Sequence, residues 1–135
     1  MPRAVFETRF FIYFFSSSDP ELHKLLLDLM RKYDKKLVSA ITFFEICKLS
    51  LEREGRGTAE TRISRIRREF NLIPVDDAIA VLGAQLKHAA NIQRGQDIPM
   101  ADSLIAATSL TLNATCLSDD PHFKAINEIK TNWIC

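Results

Sequence analysis

Four mostly apolar runs in this chain are too short to be buried helices, and they constrain its fold more than any other feature. They cover residues 4–6, 37–40, 72–75 and 114–117, and helical segments separate them. Short runs that stay apolar at consecutive positions suit strands covered on both faces. Strands alternating with helices predict an α/β fold, a three-layer α/β/α sandwich around a mostly parallel sheet of four to five strands, with right-handed crossovers. A fifth strand is expected over residues 129–134.

The segments between the strands read as helices. Residues 10–15 form an apolar stretch expected to be a short helix crossing the sheet. Ser16, Ser17, Ser18, Asp19 and Pro20 make a helix-start cluster, and Leu22, Leu25, Leu26 and Leu29 follow at helical spacing. Further helices are expected from Ile41 to about Arg53, over 58–70, after a cap at Asp76 or Asp77, and over 101–112. The helix after Asp77 should bury a stripe of Ala80, Leu82, Leu86 and Ala90.

Gly55, Gly57, Gly95 and Pro99 punctuate the chain without forming a linker, so residues 1–135 are expected to be one domain. Charged residues are 26% of the chain and the net charge is +1, which neither favours nor excludes nucleic acid, because a local patch can hide in a neutral total. No stretch reaches the roughly 18 apolar residues of a membrane span. The apolar run at 10–15 is too short for a signal peptide, so the expected location is the cytoplasm. The three cysteines, Cys47, Cys116 and Cys135, have no metal-ligand spacing. Cys47 and Cys116 lie in apolar runs and are expected to be small core residues in a reducing compartment.

The chemistry lies where acids interrupt apolar sequence, since burying an ionised carboxylate is costly without a partner or a cation. Glu7 ends the first strand. Glu45 is the only charge between Leu37 and Cys47 and lines up with Ile41 and Leu49 at helical spacing, although pairing with Lys48 or Arg53 would also account for it. Asp102 is the only charge between Met100 and Leu112 and falls in a first helical turn, where an aspartate also suits the helix dipole. Asp119 and Asp120 follow the fourth strand, before Pro121 and His122. An aspartate before proline is equally a turn starter, and His122 is either a turn residue or a ligand. Taken together, these acids sit after strands or early in the helices that follow, positions that converge on one edge of a parallel sheet. Clustered carboxylates hold protons unless a cation compensates. With hard oxygen donors, that cation is expected to be Mg2+ or Mn2+.

Four segments in order, covering essentially the whole length, carry a family resemblance. They are Val5-Phe6-Glu7-Thr8-Arg9-Phe10-Phe11-Ile12, Val38-Ser39-Ala40-Ile41-Thr42-Phe43-Phe44-Glu45, Ile98-Pro99-Met100-Ala101-Asp102-Ser103-Leu104-Ile105-Ala106-Ala107, and Leu117-Ser118-Asp119-Asp120-Pro121-His122-Phe123. The chain resembles PIN domains, especially the VapC-like toxins and their archaeal relatives. The resemblance implies a metal-dependent ribonuclease with its acidic positions at Glu7, Glu45, Asp102 and Asp120. Asp119 falls at a neighbouring, variable position, and Thr8 and Ser118 match small polar positions that order the site. It also implies an RNA substrate, an antitoxin partner and a homodimer. Two positions depart from the family pattern: Glu7 stands where aspartate is usual, and His122 stands where many members carry another aspartate.

Between Arg53 and Glu69 six arginines and three glutamates give a local charge of +3 in a chain of +1. Arg62, Arg65 and Arg68 share a helix face and are candidates to follow an RNA backbone, against the alternative of a solvated face. The rival to an enzyme is a binding module in which the longer Glu7 spoils the metal site and leaves an RNA- or protein-binding surface. A phosphotransfer enzyme would usually carry a glycine-rich phosphate loop, and the chain has none.

Overall fold

A computed structural model describes residues 2–132. The chain begins with β1 (Arg3–Phe6), α1 (Thr8–Ser16), α2 (Pro20–Lys32), β2 (Lys35–Ser39), α3 (Ala40–Glu54) and α4 (Arg56–Glu69). It continues with β3 (Asn71–Ile73), α5 (Asp77–Arg94), α6 (Met100–Thr111), β4 (Thr115–Leu117), α7 (Pro121–Lys124) and β5 (Thr131–Asn132). The five strands form one sheet in the order β3-β2-β1-β4-β5, and every pairing is parallel.

Side chains alternate across this sheet, as the two-residue period of a strand requires. In β1, Ala4 and Phe6 join one core while Val5 joins the other. The first core is aromatic: Phe6, Phe10, Phe11, Phe14 and Phe70 pack beside Leu26, Val38 and Ile66. Phe6 meets Phe10 edge-on with ring centroids 4.7 Å apart, a favourable arrangement of ring quadrupoles. The second core is aliphatic and joins Leu37, Ile79, Leu86, Ile98, Ile105, Cys116 and Phe123. The α/β/α sandwich expected from the sequence is the observed architecture.

Several boundaries differ from the sequence expectation for local reasons. β2 ends at Ser39, whose hydroxyl accepts from Ile41 N at 3.1 Å, so Ala40 opens the helix instead of closing the strand. β3 stops at Ile73, because Pro74 has no N–H to continue the ladder. The segment at 10–15 belongs to a longer helix, α1, that packs on the aromatic core. α5 buries Ile79, Gly83, Leu86 and Ala90, while Ala80 is exposed. Asp76 caps the helix, accepting from Ile79 N at 2.9 Å. Leu25 is exposed on α2, whereas Leu26 and Met30 are buried. β5 covers Thr131–Asn132, and residues 133–135 of the expected strand lie outside the described residues. Cys116 is buried as expected, Cys47 is half-buried, and Cys135 lies outside the described residues.

One close approach positions the later site. At Gly83 an added Cβ would sit 2.9 Å from Leu104 Cδ2 and 3.5 Å from Ser103 O. The missing side chain lets α5 lie tightly against the start of α6, which carries Asp102.

Candidate functional site

The strand order reverses direction at β1, with β2 on one side and β4 on the other. In an open α/β sheet, such a switch point leaves a crevice at the carboxyl ends of the strands. β1 delivers Glu7 there and β4 delivers Ser118, Asp119 and Asp120, because Phe6 is in register with Leu117. Glu7 N extends the pairing by donating to Leu117 O at 3.3 Å.

Glu7 caps α1 and is 3% exposed. Its Oε1 accepts from Arg9 N at 3.2 Å and from the Ser118 hydroxyl. The Ser118 oxygen in turn accepts from Asp120 N at 3.0 Å, so one hydroxyl ties the two strand ends together. Burial pushes the Glu7 carboxyl up to about 7, and the nearby charges of Asp102 and Asp120 add to that. Asp102 is also raised, first by burial and then by Asp120. The start of α6 has no side-chain cap on its amides, and the described polar partner of the Asp102 carboxylate is His122. His122 Nδ1 lies 2.8 Å from Asp102 Oδ2 and 3.2 Å from Asp120 Oδ1.

Glu45 reaches the site from α3. The Thr8 hydroxyl donates to Glu45 Oε1 at 2.6 Å and lies 3.3 Å from the Thr42 hydroxyl. The alternative pairing of Glu45 with Lys48 is not made, since Lys48 meets Glu52 at 3.1 Å. Asp119 is committed elsewhere: its Oδ1 takes Arg9 Nη1 at 3.3 Å and its Oδ2 accepts from the Tyr13 hydroxyl. Arg9 also lies 3.9 Å from Asp120 Oδ2, and its side chain is 44% exposed. Desolvation opposes the Arg9 charge, but Asp120 and Asp119 outweigh it and raise its pKa.

Thus Glu7, Glu45, Asp102 and Asp120 meet at one edge, with Thr8 and Ser118 bonded among them. Sequence reasoning gave no role to Arg9 or Tyr13. A signal for Arg9 was available: a cation in the first turn of a helix opposes the dipole, so it needs acidic partners. The arginines of α4 are not brought to this edge. Arg62 is only 14% exposed. It donates to Ser50 Oγ, Glu54 and Phe15 O, at the far ends of the helices that carry Thr8 and Glu45. Arg65 pairs with Glu69 at 2.9 Å and lies over the Phe14 ring, while Arg68 remains exposed.

Fold and site together define an α/β protein with a carboxylate cluster at the switch point of a parallel sheet. A family model described as PIN domain matches residues 4–129, and the chain belongs to that family. No curated protein is similar in sequence. Among solved structures, DNA-bound VapBC from Salmonella typhimurium is similar with a TM-score of 0.83 at 16% identity, covering 100% of both chains. VapBC2 from Rickettsia felis, bound to a DNA fragment from its promoter, gives 0.80 at 18% identity over 96% of this chain and 97% of that one. VapC20 from Mycobacterium tuberculosis, named as a sarcin-ricin loop cleaving toxin, gives 0.70 at 16% identity over 94% of this chain and 98% of that one. Among the described residues, no helix is long and apolar enough to cross a membrane.

Proposed function

We propose that this chain is a divalent-metal-dependent ribonuclease, the toxin of a toxin-antitoxin pair. The observation that carries the reading is the convergence of Glu7, Asp102 and Asp120 at the switch point, with Glu7 held near pH 7 by burial and by its neighbours. Five carboxylates (Glu7, Glu45, Asp102, Asp119, Asp120) gather there, and Arg9 pairs with Asp119 and Asp120, so acids predominate at this edge. The donor set fits a hard divalent ion such as Mg2+ or Mn2+: ligand atoms of Asp102, Asp120 and His122 all lie within 4.8 Å of one another.

Asp102 and Asp120 would hold the ion, with Glu7 and Glu45 completing the acidic environment directly or through water. Bound there, the metal supplies an activated water and charge stabilisation on the phosphate. The chain's own groups do the rest. Ser118 and Thr8 fix the rotamers of Glu7 and Glu45. Arg9, half-exposed beside the acids, presents a guanidinium to an approaching phosphate, and Arg68 on α4 offers a more distant backbone contact. An RNA substrate, an antitoxin partner, a homodimer and a cytoplasmic location belong to the same reading. Its support is membership of the PIN family and a fold shared with VapBC toxins, one of them named for cleaving the sarcin-ricin loop.

One observation favours a second reading. Glu7 is not part of the tight trio of Asp102, Asp120 and His122, and its Oε1 is already engaged by Ser118 and Arg9 N. A site weakened in this way would leave an RNA- or protein-binding module on a PIN fold. Replacing Asp102 with Asn and assaying RNA cleavage with Mg2+ decides between them. The ribonuclease reading requires cleavage in the wild type and its loss in the variant; equal cleavage by both refutes it.

A further inference from the structure

We propose that His122 is a direct ligand of the divalent ion, making a site of two carboxylates and one imidazole that prefers Mn2+ to Mg2+. This rests on the metal-dependent reading above and concerns which ion the site takes.

The geometry of the trio supports it. On an octahedral ion with bonds of about 2.1 Å, adjacent ligand atoms lie about 3.0 Å apart. His122 Nδ1 is 2.8 Å from Asp102 Oδ2, a hydrogen-bond distance, and 3.2 Å from Asp120 Oδ1; with the ring proton on Nε2, Nδ1 is free to ligate and the two edges straddle that spacing. The imidazole is placed by the fold. Asp120 caps α7 and accepts from His122 N at 3.0 Å. Phe123, one residue on, is buried in the aliphatic core and fixes the short helix to the sheet. Asp102 arrives from the other side on α6, which the Gly83 contact holds close to α5.

The donor chemistry then sets the preference. Mg2+ selects oxygen and holds its waters tightly, whereas imidazole suits first-row transition ions. An all-carboxylate edge would discriminate little between Mg2+ and Mn2+. Exchanging one oxygen donor for a ring nitrogen shifts the balance towards Mn2+, the member of that series most at home with the two remaining carboxylates.

The test titrates MnCl2 and MgCl2 into the wild type and into His122→Ala, His122→Asp and Asp102→Asn, with circular dichroism confirming that each variant is folded. Pulsed electron paramagnetic resonance of the Mn2+-loaded proteins reads nitrogen coupling to the ion. The wild type should show an imidazole 14N coupling and bind Mn2+ more tightly than Mg2+. His122→Ala should lose the coupling and at least about tenfold in Mn2+ affinity, the lower end of what even an outer-shell partner's loss costs, with a smaller loss for Mg2+. His122→Asp should bind both ions, without the coupling and with a reduced Mn2+ preference. If the wild type binds Mn2+ without nitrogen coupling and His122→Ala keeps the same preference, His122 is not a ligand, although loss of binding in Asp102→Asn would still uphold the metal site. Absence of binding of either ion to the wild type would instead overturn the metal-dependent reading itself.

Discussion

The two charge clusters of this molecule are built in opposite ways. Along α4 three of the five arginines are compensated as they stand: Arg56 meets Glu60 at 2.9 Å, Arg62 meets Glu54 at 2.7 Å and Arg65 meets Glu69 at 2.9 Å, while Arg67 lies over the Phe43 ring and Arg68 is exposed. Two of them also lie over aromatic rings at the end of α1, Arg62 over Phe15 and Arg65 over Phe14. At the carboxylate edge the acids outnumber their cations, and burial has raised Glu7 and Asp102. Where charges are already paired, as at Arg62 and Arg65, they brace the fold. A cluster whose charges are left over is arranged for something still to arrive, and here the missing charge is positive.

The sharpest way to break this contrast is at Asp102. Asp102→Asn should lower Mg2+-dependent RNA cleavage by more than about 100-fold, beyond the range an outer-shell partner commands. A wild-type rate in the variant would mean that the carboxylates do not carry the chemistry.

Glu7 sharpens it through pH. The unfolded chain titrates Glu7 near 4.5 and the folded chain near 7. Between those values the folded state binds more protons, so metal-free stability falls as pH rises from about 4.5 to 7 and then levels. Integrated over that window, the loss is at most about 3 kcal/mol. Glu7→Gln should remove most of the slope, Asp102 keeping a share of the same sign, and leave the metal-free protein more stable than the wild type at pH 8 by up to that amount. Adding Mn2+ should then stabilise the wild type more than the variant. Urea denaturation across pH, with and without Mn2+, checks both; a slope undiminished in Glu7→Gln would assign it to other groups.

On the arginine side the effect is on folding. Arg62→Ala removes bonds to Ser50 Oγ and Glu54 and the stack on Phe15, and should destabilise by about 1–2 kcal/mol. Arg68→Ala should leave stability unchanged and, if α4 follows RNA, reduce the salt slope of binding by about one. A slope unaltered when Arg62, Arg65 and Arg68 are all neutralised would remove α4 from the RNA footprint. Gly83→Ala should cost only about 1 kcal/mol, because the crowded atom is the end of the flexible Leu104 side chain.

The layered fold was legible because its strands are short apolar runs with helical periods between them, and β1, β2 and β4 lie where the runs fall. Phase and termini were harder to read. Ala80 and Ile79 are both apolar, and packing into the aliphatic core turns Ile79 inward. The carboxylates could be picked out one by one as acids in apolar surroundings, but their partners could not. Tyr13 and Asp119 are 106 positions apart in sequence, and Ser118 and Glu7 are 111 apart. Such pairs exist only once the parallel register of β1 and β4 is set. The arginines show the converse: a shared helix face was readable, but the packing of Arg62 into the chain was not, because Phe15 and Ser50 belong to other helices.

The central claim is that distant acids meet to hold a divalent cation. A crystal soaked with Mn2+ tests it most directly, through anomalous scattering from the ion. The account predicts a peak between Asp102 and Asp120, within reach of His122. An ordered site with no peak there at millimolar Mn2+ would contradict it.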